Sequence, residues 1–170
     1  EGVEVIHIKR PDVPLIHDFL FLREYWRILK EINADIIHVH YASSPGAWMV
    51  GALDTHPLVV TLMGGDILFD ERGTYTPSRH QMTINLLKTA DLITVELAHF
   101  IDVIVQKGVS KDKAKIVLWG IDLNKFKPQN THDLRHQLNL DLHERIIFSP
   151  RNRSEFYNIH LIIQSLPKII

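Results

Sequence analysis

The chain has 170 residues, enough for one domain and part of another. Its 45% hydrophobic share is that of a soluble globular protein, and its formal charge of −1, from 19 basic and 20 acidic side chains, offers no global basic field for nucleic acid. There is no cysteine, which excludes disulfides and thiolate metal sites and suits a cytoplasmic protein, and no apolar run reaches the roughly 18 residues of a membrane span.

In chain order, Val3–Ile8 is β-rich and reads as a strand, broken by Lys9, Arg10, Pro11 and Pro14. From Pro14 to Ile32 the apolar residues Leu15, Phe19, Leu22, Trp26 and Leu29 repeat at helical spacing. Arg23, Arg27 and Lys30 fall on another face, which is a solvated surface or a contact with a membrane or anion. Ile36–His40 is the next strand, and alternation puts His38 and His40 on one face. Two histidines at this spacing suit a metal, but no further ligand set or Asp-x-Asp accompanies them, so a cleft position for His40 is favoured. Ser43-Ser44-Pro45-Gly46 opens a short apolar helix over Ala47–Leu53, with Gly51 placed for close packing.

Leu58–Leu62 is a run of aliphatic and β-branched residues, as in a strand buried on both faces. Gly64, Gly65 and Asp66 follow at once, where glycine permits positive φ and close approach to the backbone. Phe69–Pro77 reads as a loop suited to a lid, and Ser78 as the cap of a helix through Lys88. Asp91–Val95 is a strand. Leu97, Phe100, Ile101, Ile104 and Val105 define a helix closed by Gly108, and Lys115–Trp119 is a strand ended by Gly120. After Pro128 comes a linker (Gln129–Asp133), a short helix (Leu134–Leu140), a strand (Arg145–Ser149), a loop and a helix from Ile159 to Leu166. Alternation of strand and helix predicts α/β with a Rossmann-like parallel sheet, as one domain over 1–128 and the first αβ unit of a second over 129–170. Glu1 enters a strand directly and Ile169-Ile170 stands inside an apolar pattern, so a piece of a longer chain is expected.

No Gly-x-Gly-x-x-Gly, Walker loop or Gly-x-Ser-x-Gly elbow is present. The remaining candidates are strand ends: His40-Tyr41, Gly64-Gly65-Asp66, Glu96, Trp119-Gly120 and Pro150-Arg151. In a parallel sheet these fall on one edge, where ligands collect. Arg151, between a strand and a helix, suits a phosphate.

Asp35–Tyr41, Val59–Thr61 with Gly64-Gly65-Asp66, Ala90–Thr94, and Lys115–Asp122 with Phe126 and Pro128 together resemble the retaining, nucleotide-sugar-dependent glycosyltransferases of the GT-B fold, in the family-four group. The resemblance implies an amino-terminal acceptor-side domain facing a donor-binding domain, sugar transfer to an acceptor hydroxyl with retention, and no metal or other cofactor. Asp66 matches the acid of the family's Gly-Ser-Asp variant, and is the candidate catalytic residue or the orienter of a hydroxyl or neighbouring loop. His40, Tyr41, Gly64, Gly65, Glu96 and Gly120 would contact substrate. Arg151 matches the arginine that binds the donor diphosphate; Tyr157-Asn158 occupies the region of its usual lysine partner a few residues later, for which Arg153 is the candidate substitute. Met63 occupies the position at which many relatives carry a histidine. The implied partners are a nucleotide sugar and a carbohydrate, lipid-linked or small-molecule acceptor, not nucleic acid. The implied location is cytoplasmic, with peripheral membrane contact as an option for the basic helix face. The 170 residues alone are expected not to transfer sugar. Two other classes compete, a non-catalytic α/β ligand-binding module using the same edge and a nucleotide-sugar epimerase-like protein, the latter disfavoured by the missing dinucleotide fingerprint.

Overall fold

The computed structural model describes residues 2–9, 17–53, 57–68, 76–128, 133–141, 143–151, 153 and 157–169. Most of the expected lid, Phe69–Pro77, and of the linker Gln129–Asp133 lies outside these residues, as does the expected helix start at Pro14. The chain divides into two compact units, 1–121 and 122–170.

In the first unit the order is α1 (His17–Ile32), β1 (Ile37–His40), α2 (Pro45–Ala52), β2 (Leu58–Thr61), α3 (Pro77–Thr89), β3 (Leu92–Val95), α4 (Ala98–Gln106) and β4 (Ala114–Ile116). The strands form one parallel sheet in sequence order, β1-β2-β3-β4. Pairing of Val39 with Val60, Val60 with Ile93, and Ile93 with Ala114 sets an apolar row across it. Val60 and Ile93 are fully buried, and Val50 of α2, Leu86 and Leu87 of α3 and Ile104 of α4 join the same core. A Cβ on Gly51 would lie 2.9 Å from the Leu86 Cα, so the close approach of α2 to α3 requires glycine there.

The helix ends have local causes. Ser44 Oγ accepts the Ala47 N–H at 3.2 Å, with Pro45 opening α2. Asn33 (φ 45°) takes the left-handed position after α1. Gly108 (φ 82°) closes α4, its N–H bonded to the Val105 carbonyl and the Val109 N–H to that of Ile104. The cap of α3 is Thr76 and not the expected Ser78: Thr76 Oγ1 accepts the Arg79 N–H at 3.4 Å, and Pro77 takes the first helical position.

Three strand expectations are corrected. Residues 2–9 are mostly exposed and form no strand, nor do residues 145–149 in the second unit. β-rich runs become strands only by pairing, and neither finds a partner among the described residues. β4 stops at Ile116. One further bond, Val117 N–H to the Val95 carbonyl (2.9 Å), ends the ladder where β3 ends, and Leu118 and Trp119 run on exposed. The second unit carries α5 (Asp133–Gln137) and α6 (Ile159–Ser165), and none of its described residues is buried.

Candidate functional site

Because the strands are parallel, His40, Thr61 and Val95 end on one edge of the sheet. Tyr41, just beyond β1, donates its N–H to the Thr61 carbonyl (3.1 Å) and adopts φ 74°, a left-handed conformation that costs an L-residue about 1–2 kcal/mol. Beyond β2, Gly64 (φ 88°) accepts the N–H groups of Ile67 (3.1 Å) and Leu68 (2.9 Å) on its carbonyl, closing a tight turn. A Cβ at Gly64 would come within 3.1 Å of the Phe100 ring. Glycine is thus required twice over, by φ and by the ring behind it.

Asp66 ties the two strand ends together. Its Oδ2 accepts the Ala42 N–H at 2.7 Å and its Oδ1 the Met63 N–H at 3.1 Å. The residue is 4% exposed. Burial pushes its carboxyl above the usual range, outweighing the backbone N–H groups of Ala42, Met63, Asp66 and Gly64, which pull it down.

A polar row crosses the sheet nearby. His38 Nε2 lies 2.7 Å from Thr61 Oγ1, which lies 2.6 Å from Thr94 Oγ1. The His38 and His40 rings sit 4.1 Å apart, as their shared face predicts. Partial burial, and then the neighbouring His40, hold His38 below the usual histidine range. Sequence reasoning missed this row, the Ala42 amide and the Phe100 backing. Thr61 and Thr94, each the polar residue of an otherwise apolar strand, were the available signal.

Glu96 follows β3 directly on the same edge and is half-buried, as are Tyr41 and Gly65. Gly120 lies past β4, where a Cβ would meet nothing within 4 Å, so packing does not demand glycine there. A cavity of about 480 Å³ between α1, β1 and α2 is lined by Tyr25, His38, His40 and Ser44, and does not reach Gly64, Gly65 or Asp66. Met63 is 42% exposed beside the glycines. In the second unit Arg151 and Arg153 are exposed, and the Arg151 guanidinium stands 5.2 Å over the Tyr157 ring. On α1, Arg27 is held by Glu24 (2.5 Å) and Glu31 (2.5 Å), so this helix face is of mixed charge rather than basic. Among the described residues no group of three or more His, Asp or Glu is placed to hold a metal, and no helix is long and apolar enough to cross a membrane.

A parallel sheet that gathers histidine, paired glycines and a buried acid at its carboxyl edge defines a Rossmann-like α/β protein, a class in which ligands collect at that edge. The model of Glycosyltransferase Family 4 matches residues 1–125, and the chain belongs to that family. No curated protein matches the sequence. Among solved structures the chain is similar to that of Anabaena Alr3699/HepE in complex with UDP, at 23% identity and a TM-score of 0.54. The match covers 75% of this chain and 35% of that one, so the chain spans about a third of its length. The fold and family implied by the sequence motifs are the ones found.

Proposed function

We propose that this chain supplies the acceptor-side wall of a glycosyltransferase that moves a sugar from a nucleotide-sugar donor to an acceptor hydroxyl, with retention and without a metal. The family match over residues 1–125 carries the reading. It is supported by the shared edge of His40, Tyr41, Gly64, Gly65 and Glu96, and by the UDP held in the similar HepE structure. Gly64 and Gly65 let substrate approach the backbone, and His40 and Glu96 offer hydrogen bonds to sugar hydroxyls. Gly120 lies at the periphery of this edge. Arg151 and Arg153 in the second unit bind the donor diphosphate and offset leaving-group charge.

The test is a transfer assay on the full-length protein with a panel of UDP-hexoses and sugar acceptors, reading UDP release and, by NMR, the anomer formed. Product of unchanged anomeric configuration, formed in the presence of a chelator, is expected. Absence of both UDP release and UDP binding would return the chain to the ligand-binding-module class, and an inverted product would remove retention alone.

A further inference from the structure

We propose that Asp66 is a positioning residue for glycosyl transfer: its carboxylate clamps the Ala42 and Met63 amides together and thereby holds Tyr41 in its left-handed conformation at the substrate edge. The proposal rests on the transfer reading above and assigns Asp66 a role other than acid, base or nucleophile. Both carboxylate oxygens accept backbone N–H groups, at 2.7 Å and 3.1 Å, and the residue is 4% exposed, so it is not presented to a sugar. A buried carboxylate is costly unless its hydrogen bonds are complete, and here they are supplied by backbone from two different strand-end loops.

Tyr41 sits between two anchors. Its own N–H is bound to the Thr61 carbonyl at the end of β2, and the next N–H, that of Ala42, is bound to Asp66. With both peptides fixed, φ 74° is imposed on a residue that would otherwise avoid it. Strain of this kind persists only where the surroundings over-determine it, and it concentrates at functional sites. On the other arm Met63 precedes Gly64, which is itself backed by Phe100 at 3.1 Å from its Cβ position. One carboxylate therefore sets the relative position of His40-Tyr41 and Gly64-Gly65, the two loops that face substrate.

The test compares Asp66→Asn, Tyr41→Gly and the double variant in the full-length protein. Asparagine keeps the size but has one oxygen for two N–H donors. With UDP-hexose as donor, Asp66→Asn is expected to lower kcat about 100-fold, the scale of a misplacement of about 1 Å, and to change the donor KM less than about 3-fold. In unfolding, the midpoint shift caused by Asp66→Asn is expected to be smaller in the Tyr41→Gly background, because glycine needs no clamp to reach positive φ. An unchanged kcat, or equal midpoint shifts in the two backgrounds, overturns the proposal. If Asp66→Asn does not fold, amide exchange at Ala42 decides. Tyr41→Val should accelerate it and Tyr41→Asn should not, and equal exchange in the two overturns the clamp. If the unaltered protein transfers no sugar the transfer reading falls, while the coupling of Asp66 to Tyr41 is still judged by unfolding.

Discussion

The two ends of the sheet are each pinned by an aspartate, and they are pinned differently. At the amino end, Asp91 Oδ2 accepts the Leu58 N–H at 2.7 Å while the Asp91 N–H reaches the Leu58 carbonyl at 2.9 Å, joining the starts of β2 and β3. Asp91 is exposed and the backbone around it carries no left-handed residue. At the carboxyl end Asp66 is buried, serves two loops, and is flanked by Tyr41 and Gly64 at positive φ. The amino-end clamp works with relaxed geometry in water, and the carboxyl-end clamp holds strain out of water. Stability alone needs only the first arrangement, so the second marks the edge where function is to be sought.

The largest expected difference between the ends is in alanine substitution. Asp66→Ala leaves two N–H groups without their acceptor in a buried place and should cost more than about 2 kcal/mol in urea unfolding, whereas Asp91→Ala, open to water, should cost about 1 kcal/mol or less. Equal costs would dissolve the contrast. Next in size are the glycines. Gly64→Ala meets positive φ and the Phe100 ring together and should cost about 2–3 kcal/mol. Gly108→Ala, after α4 at the amino end, meets only positive φ and the flexible end of Lys88 at 3.5 Å, and should cost about 1 kcal/mol. Thermal unfolding of the two variants measures the gap.

The smallest expected effects lie in pH. Asp66 titrates above its ordinary value in the folded state, so the native protein holds the proton more tightly than the unfolded chain. Stability from this group is therefore fullest below pH 3.8 and falls as pH rises through the folded value, and Asp66→Asn should remove that slope. His38 titrates below 6.5, so the unfolded chain takes its proton first, and stability falls as pH drops from 6.5 through the folded value. His38→Gln should flatten this second slope. Urea midpoints from acid to neutral pH separate the two, and a wild-type curve identical to both variants would refute them.

Much of the first unit was legible because its signals are local. The spacing of Phe100, Ile104 and their neighbours defines α4, Gly108 its end, and the runs at Ile37, Leu58 and Leu92 the strands. The strand expected at Val3–Ile8 failed because β-propensity needs a neighbouring edge, and that at Arg145–Ser149 for the same reason. The expected cap Ser78 gives way to Thr76 because Pro77 takes the first helical position. At the site, Gly64 and its positive φ could be anticipated from a glycine pair after a strand. The bond from Asp66 to Ala42 could not, since it spans 24 residues and no nearby pattern announces it. The left-handed Tyr41 was equally hidden, because tyrosine has no preference for that region and its anchors at Thr61 and Asp66 lie far along the chain.

The His38–Thr61–Thr94 row also carries a direction. Each threonine has a single hydroxyl proton to place. When the His38 proton is on Nδ1, Nε2 accepts, Thr61 must donate to it, and Thr94 must then donate to Thr61. When the proton is on Nε2, the first bond reverses and Thr61 is released to donate to Thr94. The Nδ1–H tautomer of one ring on β1 thus fixes the orientation of a hydroxyl dipole two strands away, and the Nε2–H tautomer releases it. A change of tautomer at His38 therefore alters the hydroxyl orientations open to Thr61 and Thr94, with no heavy atom having to move.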